Sequence, residues 1–321
     1  MREGVLELSP LQLHFGGAFE RAHVAWKITG NRSGPLVVAL GGISAGRHVA
    51  SDGVLKGWWH EVVGPGAPLD TSETQVLGID FLGGSGDTTG PQRGQSDFPS
   101  VSAYDQAEIL TQLLDHLEIR QLPLLIGASY GGMVGLALAE RFPDRLRRLV
   151  AISAAHRSHP MSTAWRSVQR AIVRSAAEKG DGAEGLRLAR ALAMATYRSS
   201  QEFAQRFSGD PRRVDGRFQF PVETYLLSRG DAYASSYIPE AFVCLSESID
   251  LHRVDPKNIR VPTTLVGIHE DQLVPIDDMR ELARSMAAPV ELIELSSLFG
   301  HDAFLKESAA LRSVFSQALN A

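Results

Sequence analysis

Short, almost unbroken apolar runs recur through the first half of the chain, at residues 36–40, 75–81, 124–126 and 149–152. Runs of this kind are what a parallel sheet covered on both faces requires. Between them Leu110, Leu113, Leu114 and Leu117 repeat at i, i+3, i+4 and i+7, which predicts a helix with one buried stripe. From residue 156 to about 253 clear strand patterns give way to helical patterns rich in Ala and Arg, such as 185–197. Strand patterns return at 261–266 and 290–295, and a last helix is predicted over 303–319. Strand–helix alternation interrupted once by helices predicts an α/β fold with a mostly parallel, doubly wound sheet. Its core is expected to comprise residues 1–155 and 256–321, with 156–255 a helical lid insertion.

Composition narrows the function classes. The chain has 321 residues, 44% of them apolar and 21% charged, with a formal net charge of −5, which is an ordinary globular balance. It lacks the positive field that duplex nucleic acid demands, so no nucleic-acid partner is expected. The single cysteine, Cys244, lies in an apolar stretch; it is expected to be a core residue, since one thiol makes neither an internal disulfide nor a cysteine-based zinc site. The N-terminal residues lack a secretory pattern and no apolar run approaches 18 residues. No membrane span is therefore expected, and cytoplasm is the default compartment. The scattered histidines form no H-E-x-x-H or Cys/His set, so neither a metal nor a cofactor is expected.

Two segments match G-x-S-x-G: Gly127-Ala128-Ser129-Tyr130-Gly131 and Gly42-Ile43-Ser44-Ala45-Gly46. This pattern places a serine on a sharp turn between a strand and a helix. Pro123 to Ile126 supplies a strand before Ser129, and Gly132 to Glu140 supplies a helix after it. Ser44 also follows a strand, but Gly53 and Gly57 lie in the poor helix behind it. Ser129 is thus the preferred nucleophile, its alternative being a simple helix N-cap. In the α/β-hydrolase arrangement one oxyanion-hole N–H comes from the residue after the nucleophile, here Tyr130, and another from an earlier loop, here Gly41-Gly42-Ile43. The acid and the base follow the serine on loops after later strands. His269-Glu270-Asp271 follows the run at 261–266, and Gly300-His301-Asp302 follows that at 290–295. Among the ten histidines, order and position favour His301 as the base, oriented by Asp271. Glu270, Asp277 and Asp278 remain rivals for the acid.

Trp58-Trp59, Gly64-Pro65-Gly66, Leu69-Asp70-Thr71, Leu82-Gly83-Gly84, Thr89-Gly90-Pro91, Thr196-Tyr197-Arg198-Ser199, Glu223-Thr224-Tyr225-Leu226 and Gly300 to Leu305 carry a resemblance over nearly the whole chain. The chain resembles the homoserine O-acyltransferases of methionine biosynthesis that use the α/β-hydrolase fold. The resemblance implies ping-pong transfer from acyl-CoA to L-homoserine, with Arg198 and Asp302 holding the amino acid, in a homodimer. Tyr130 stands where the family usually has methionine, Ser85 where cysteine is common, and Gly41-Gly42-Ile43-Ser44 where His-Ala-Leu-Thr is usual. The short chain and the Gly-Gly-Ile-Ser-Ala segment look more like the succinyl-using branch than the acetyl-using one. Succinyl transfer needs a cation near the distal carboxylate, and Arg47 is the expected one. An ester or lactone hydrolase, and L-serine as acceptor, are the competing readings.

Overall fold

The computed structural model describes residues 1–320. Eight strands form one sheet: β1 (Arg2–Leu8), β2 (Ala22–Gly30), β3 (Leu36–Leu40), β4 (Gln75–Ile79), β5 (Leu124–Ala128), β6 (Leu149–Ile152), β7 (Thr263–Ile268) and β8 (Val290–Leu295). Their spatial order is β1-β2-β4-β3-β5-β6-β7-β8. Only β1 with β2 and β2 with β4 pair antiparallel; the remaining neighbours are parallel. The strands β3, β5, β6 and β7 are buried along their whole length, as a sheet sandwiched between layers must be.

The expected strands lie within two residues of the observed ones, but β1 and β2 carried no clear sequence signal. β1 is an edge strand that alternates exposed and covered positions, and its mid-strand Val5 is exposed. β2 has Lys27 at its centre, buried at 3% exposure and neutralised by Asp52 at 2.5 Å. A charge there breaks the apolar run in the sequence, and its partner lies in a distant loop.

Helices α1 (Ala103–His116) and α2 (Tyr130–Arg141) pack with one face of the sheet in the larger core cluster, which contains Leu110, Leu113, Leu114 and Leu136. Ser102 starts α1 through a capping box with Asp105, satisfying N–H groups that the helix itself cannot. The second cluster contains Trp59, Val62 and Phe315. Between β6 and β7 come α3 (Pro160–Ala177), α4 (Gly182–Tyr197), α5 (Ser200–Arg206), α6 (Pro221–Ala234) and α7 (Pro239–Leu251). An exposed hairpin, Arg212–Val214 with Arg217–Gln219, interrupts these helices. After β7 comes α8 (Ile276–Ser285). The predicted last helix is two pieces, α9 (Ala303–Lys306) and α10 (Ser308–Asn320). The chain breaks at Glu307, whose Oε1 accepts the Ser297 hydroxyl at 2.6 Å. No helix is long and apolar enough to cross a membrane among the described residues.

Candidate active site

Loops leaving the carboxyl ends of β3, β5, β7 and β8 converge at one place, the usual location of ligand sites in open α/β sheets. Ser129 follows β5 with φ 54° and ψ −120°, in the left-handed region that non-glycine residues rarely occupy. The turn holds because Gly131 lets α2 start against β3: a Cβ there would lie 2.3 Å from the Leu40 carbonyl oxygen. The Gly131 N–H instead donates to the Gly41 carbonyl at 2.8 Å. That bond brings the loop after β3 against the elbow. The N–H groups of Ile43 and Tyr130 have no backbone acceptor among the described residues. Both are therefore free to face an oxyanion. The Tyr130 side chain points away into the core, where its hydroxyl meets Ser248 at 2.7 Å and burial raises its ionisation above the ordinary range.

The Ser129 hydroxyl lies 2.8 Å from His301 Nε2, and His301 Nδ1 lies 2.7 Å from Asp271 Oδ2. Asp271 Oδ1 accepts the N–H groups of Leu273 and Val274 at 2.8 and 3.0 Å, which locks the carboxylate's rotation. The structure thus brings together Ser129, Asp271 and His301 and separates them from their rivals. Ser44 donates to the Tyr233 hydroxyl at 3.0 Å. Glu270 accepts the Ser297 N–H, and Asp277 pairs with Arg280 on the exposed face of α8. Asp278 borders the cavity, but its side chain has no contact with His301 in the hydrogen-bond network.

Gly300, with φ +53°, sets His301 in place; a Cβ there would stand 2.9 Å from the Tyr197 carbonyl oxygen. The end of α4 consequently packs directly on the histidine loop. Ser199 Oγ donates to the Leu298 carbonyl at 2.6 Å and Gln272 donates to the Arg198 carbonyl at 3.0 Å. One segment of the helical insertion therefore ties down both catalytic loops. Burial alone would push the His301 imidazole down, but the Asp271 carboxylate and its hydrogen bond, with Asp302 adding to them, leave it raised above its ordinary 6.5. The base must be neutral to take the serine proton, so activity falls as pH drops through this raised value. The acid limb of kcat/KM for the acyl donor is expected to have its midpoint above 6.5; a midpoint below it would mean that desolvation outweighs Asp271.

Ser129 and His301 open into a cavity of about 200 Å³ bordered by Trp58, Met133, Phe242, Arg190 and Asp302, among others. Two expected site residues are not among those bordering the cavity. Arg47 does not border the cavity. Its guanidinium is held between Asp80 and Asp87, so it is neutralised and pointed away from any acyl group. Arg198 donates to Asp302 at 2.9 Å and to Glu202 at 3.2 Å and is likewise absent from the cavity wall. Its guanidinium is turned to the Asp302 carboxylate, which does border the cavity.

Arg190, which sequence reasoning missed, borders this cavity, as do Arg157 and Arg166. It lies over the rings of Tyr197 and Tyr233, 5.1 and 4.6 Å from their centroids, and donates to the Tyr197 hydroxyl at 3.3 Å. Arg190 forms no ion pair within 4.0 Å among the described residues, although the Asp302 carboxylate acts on it from further away. Its position seven residues before Tyr197, on the same face of α4, is the signal that could have revealed it. Among the described residues no group of three or more His, Cys, Asp or Glu could hold a metal ion.

Residues 35–308 match the family model described as alpha/beta hydrolase fold. The chain is 40% identical over 296 residues to a homoserine O-succinyltransferase of Xanthomonas campestris pv. campestris, covering 92% of this chain and 78% of that protein. The chain belongs to the homoserine O-acyltransferase family. It is also 34% identical to an L-serine/homoserine O-acetyltransferase of Streptomyces lavendulae, covering 90% of this chain and 89% of that one. The crystal structure of a homoserine O-acetyltransferase from Bacillus anthracis superposes with a TM-score of 0.88 at 17% identity, covering 100% of this chain and 98% of that one. At that identity the likeness shows the fold alone.

Proposed function

We propose that this member of the family is a homoserine O-succinyltransferase, moving a succinyl group from succinyl-CoA to the hydroxyl of L-homoserine through an ester on Ser129, in methionine biosynthesis. The observation that carries the proposal is the pairing of a complete triad with an unneutralised cation, Arg190, and an acid, Asp302, on one cavity wall. A plain ester hydrolase needs the triad but has no use for a site shaped to a zwitterion. The 40% identical Xanthomonas protein, a homoserine O-succinyltransferase by name, supports the choice of acceptor and donor.

In the first half-reaction the Ser129 proton passes to His301 Nε2 as Oγ attacks the thioester carbonyl. The tetrahedral oxyanion faces the N–H groups of Ile43 and Tyr130. The C–S bond then breaks and the sulfur leaves with the proton from Nε2 as the free thiol of coenzyme A. In the second half-reaction the homoserine hydroxyl gives its proton to Nε2 and attacks the seryl ester. The C–Oγ bond breaks, and Ser129 recovers its proton from Nε2. Arg190 receives the amino acid's carboxylate and Asp302, steadied by Arg198, receives its ammonium. Acyl-CoA is a substrate, and the reaction needs no cofactor. The proposal extends to a homodimer acting in the cytoplasm.

The test follows free thiol after mixing purified protein with succinyl-CoA, with and without L-homoserine. Sustained release that depends on homoserine is the expected result; release indifferent to homoserine would make the chain a hydrolase, and a stronger response to L-serine would change the acceptor. Arg190→Met is expected to raise KM for homoserine by roughly 30- to 1,000-fold, the usual effect of removing one partner of a shielded charge pair. The first burst of thiol from succinyl-CoA should persist in that variant. An unchanged KM would remove Arg190 from acceptor binding.

A further inference from the structure

An oxyanion is stabilised most by donors that already point at it, since a donor that must first swing into place gives back part of its gain. Ile43 offers its donor from a turn. The Ala45 N–H donates to the Gly42 carbonyl at 2.8 Å, which makes Ile43 and Ser44 the two central residues. The Ile43 N–H shares a peptide plane with that Gly42 carbonyl and points the opposite way. The tilt of the turn therefore sets where the donor aims.

Both ends of the turn are anchored by neighbouring loops, through the Gly131 N–H to Gly41 and through the Arg47 N–H, which donates to Asp80 Oδ1 at 2.7 Å. The Ile43 side chain packs in the core and fixes the depth. Beyond its chain neighbours, no heavy atom lies within 4 Å of where a Gly42 Cβ would stand, so packing on that side leaves the tilt unset. Among the described residues the Ile43 carbonyl and the Ser44 backbone groups have no backbone partner. The helical insertion holds both residues instead. The Tyr237 hydroxyl donates to the Ile43 carbonyl at 2.8 Å, and the Ser44 hydroxyl donates to the Tyr233 hydroxyl at 3.0 Å.

These two tyrosines form one unit at the end of α6. The Tyr237 N–H donates to the Tyr233 carbonyl at 3.0 Å, and the rings stack with centroids 4.7 Å apart and 18° between their planes. Tyr237 is buried, and the next N–H, that of Ile238, donates to Ser85 Oγ at 2.7 Å. Burial raises both phenols above their ordinary range, so each keeps its proton.

We propose that Tyr237 and Tyr233 are positioning residues for the oxyanion hole: their hydroxyls fix the tilt of the Gly42–Ala45 turn and so aim the Ile43 N–H at the tetrahedral intermediates. The inference rests on the reading of this cavity as an acyl-transfer site and deepens it. Ser129, Asp271 and His301 meet without any hydrogen bond from α6 or the segment after it, whereas the hole is incomplete without that segment.

The test mixes excess succinyl-CoA with the parent, Tyr237→Phe and Ser44→Ala in the absence of acceptor, and reads the first-order rate constant and the amplitude of the thiol burst. Amplitude counts the sites that fold; the rate constant describes only those sites. Tyr237→Phe keeps the stacked ring and loses the hydroxyl. It is expected to lower the rate constant by about 30-fold, less than the roughly 10²- to 10³-fold for deleting a hole donor outright. The succinyl-CoA concentration giving half the maximal rate should change by less than about threefold, because the lost interaction belongs to the transition state. Ser44→Ala, which leaves the Tyr233 ring under Arg190 in place, is expected to slow the burst about fivefold. An unchanged rate constant in Tyr237→Phe overturns the proposal, since a tyrosine that merely stabilises the fold moves amplitude alone. If that variant cannot be purified, an unchanged rate constant in Ser44→Ala overturns it. A parent that gives no burst would end the succinyl-transfer reading, and p-nitrophenol release from p-nitrophenyl acetate would then supply the same rate constants, with the same outcomes deciding.

Discussion

Replacing Ser129 by alanine is expected to lower thiol release from succinyl-CoA by roughly 10⁴- to 10⁶-fold, because no other hydroxyl can form the ester intermediate. The other serine in the same motif does not substitute. Ser44 Oγ donates to the Tyr233 hydroxyl at 3.0 Å, whereas His301 Nε2 is 2.8 Å from Ser129. The elbow should keep its shape, since its turn depends on the packing of Gly131 against Leu40 and not on the serine side chain. Mass spectrometry of the parent quenched after succinyl-CoA alone should show one added succinyl group at Ser129, absent from Ser129→Ala. An alanine variant that retains near-parent turnover would transfer the chemistry to another residue and end the proposed mechanism.

Asp271→Asn should be nearly as severe, at roughly 10⁴-fold in kcat, for a reason legible in the hydrogen bonds. Two backbone N–H groups, of Leu273 and Val274, donate to Oδ1. An asparagine must keep its oxygen there, so its NH₂ would face His301 Nδ1. The imidazole would then have to accept at Nδ1 and carry its proton on Nε2, the nitrogen that must be empty to take the Ser129 proton. Losing the carboxylate also removes the main influence that lifts the His301 pKa against its burial. The acid limb of kcat/KM should therefore move to lower pH even as the rate collapses. A variant with parent-like rate would show that Asp271 does not set the tautomer.

Much of the site was readable before any coordinates because its parts are local. The strand before Ser129 and the helix after it are visible in residues 123–140, and Asp271 and His301 each follow an apolar run with the order and loop position the fold requires. Arg47 and Arg198 show where that kind of reading ends. Arg47 is close in sequence to the oxyanion loop, yet Asp80 and Asp87 of the loop after β4 claim its guanidinium. Arg198 lies within a recognisable motif, but its side chain turns to Asp302 and Glu202, and Arg190, one helix face earlier, occupies the cavity wall.

The sequence by itself determined the parallel strands of the sheet, the elbow, the order of the three triad candidates and the family. These follow from hydrophobic period, glycine spacing and chain order, all of which are short-range patterns. Only the tertiary structure decided which arginines are free to meet a substrate. A guanidinium's availability depends on how many carboxylates share its neighbourhood, and apart from the i,i+4 pair of Arg198 with Glu202 those partners come from elements 33 to 104 residues away, as for Arg47 with Asp80, Arg166 with Asp250 and Arg198 with Asp302. Charge compensation is a property of the packed assembly, and no local pattern of residues encodes it.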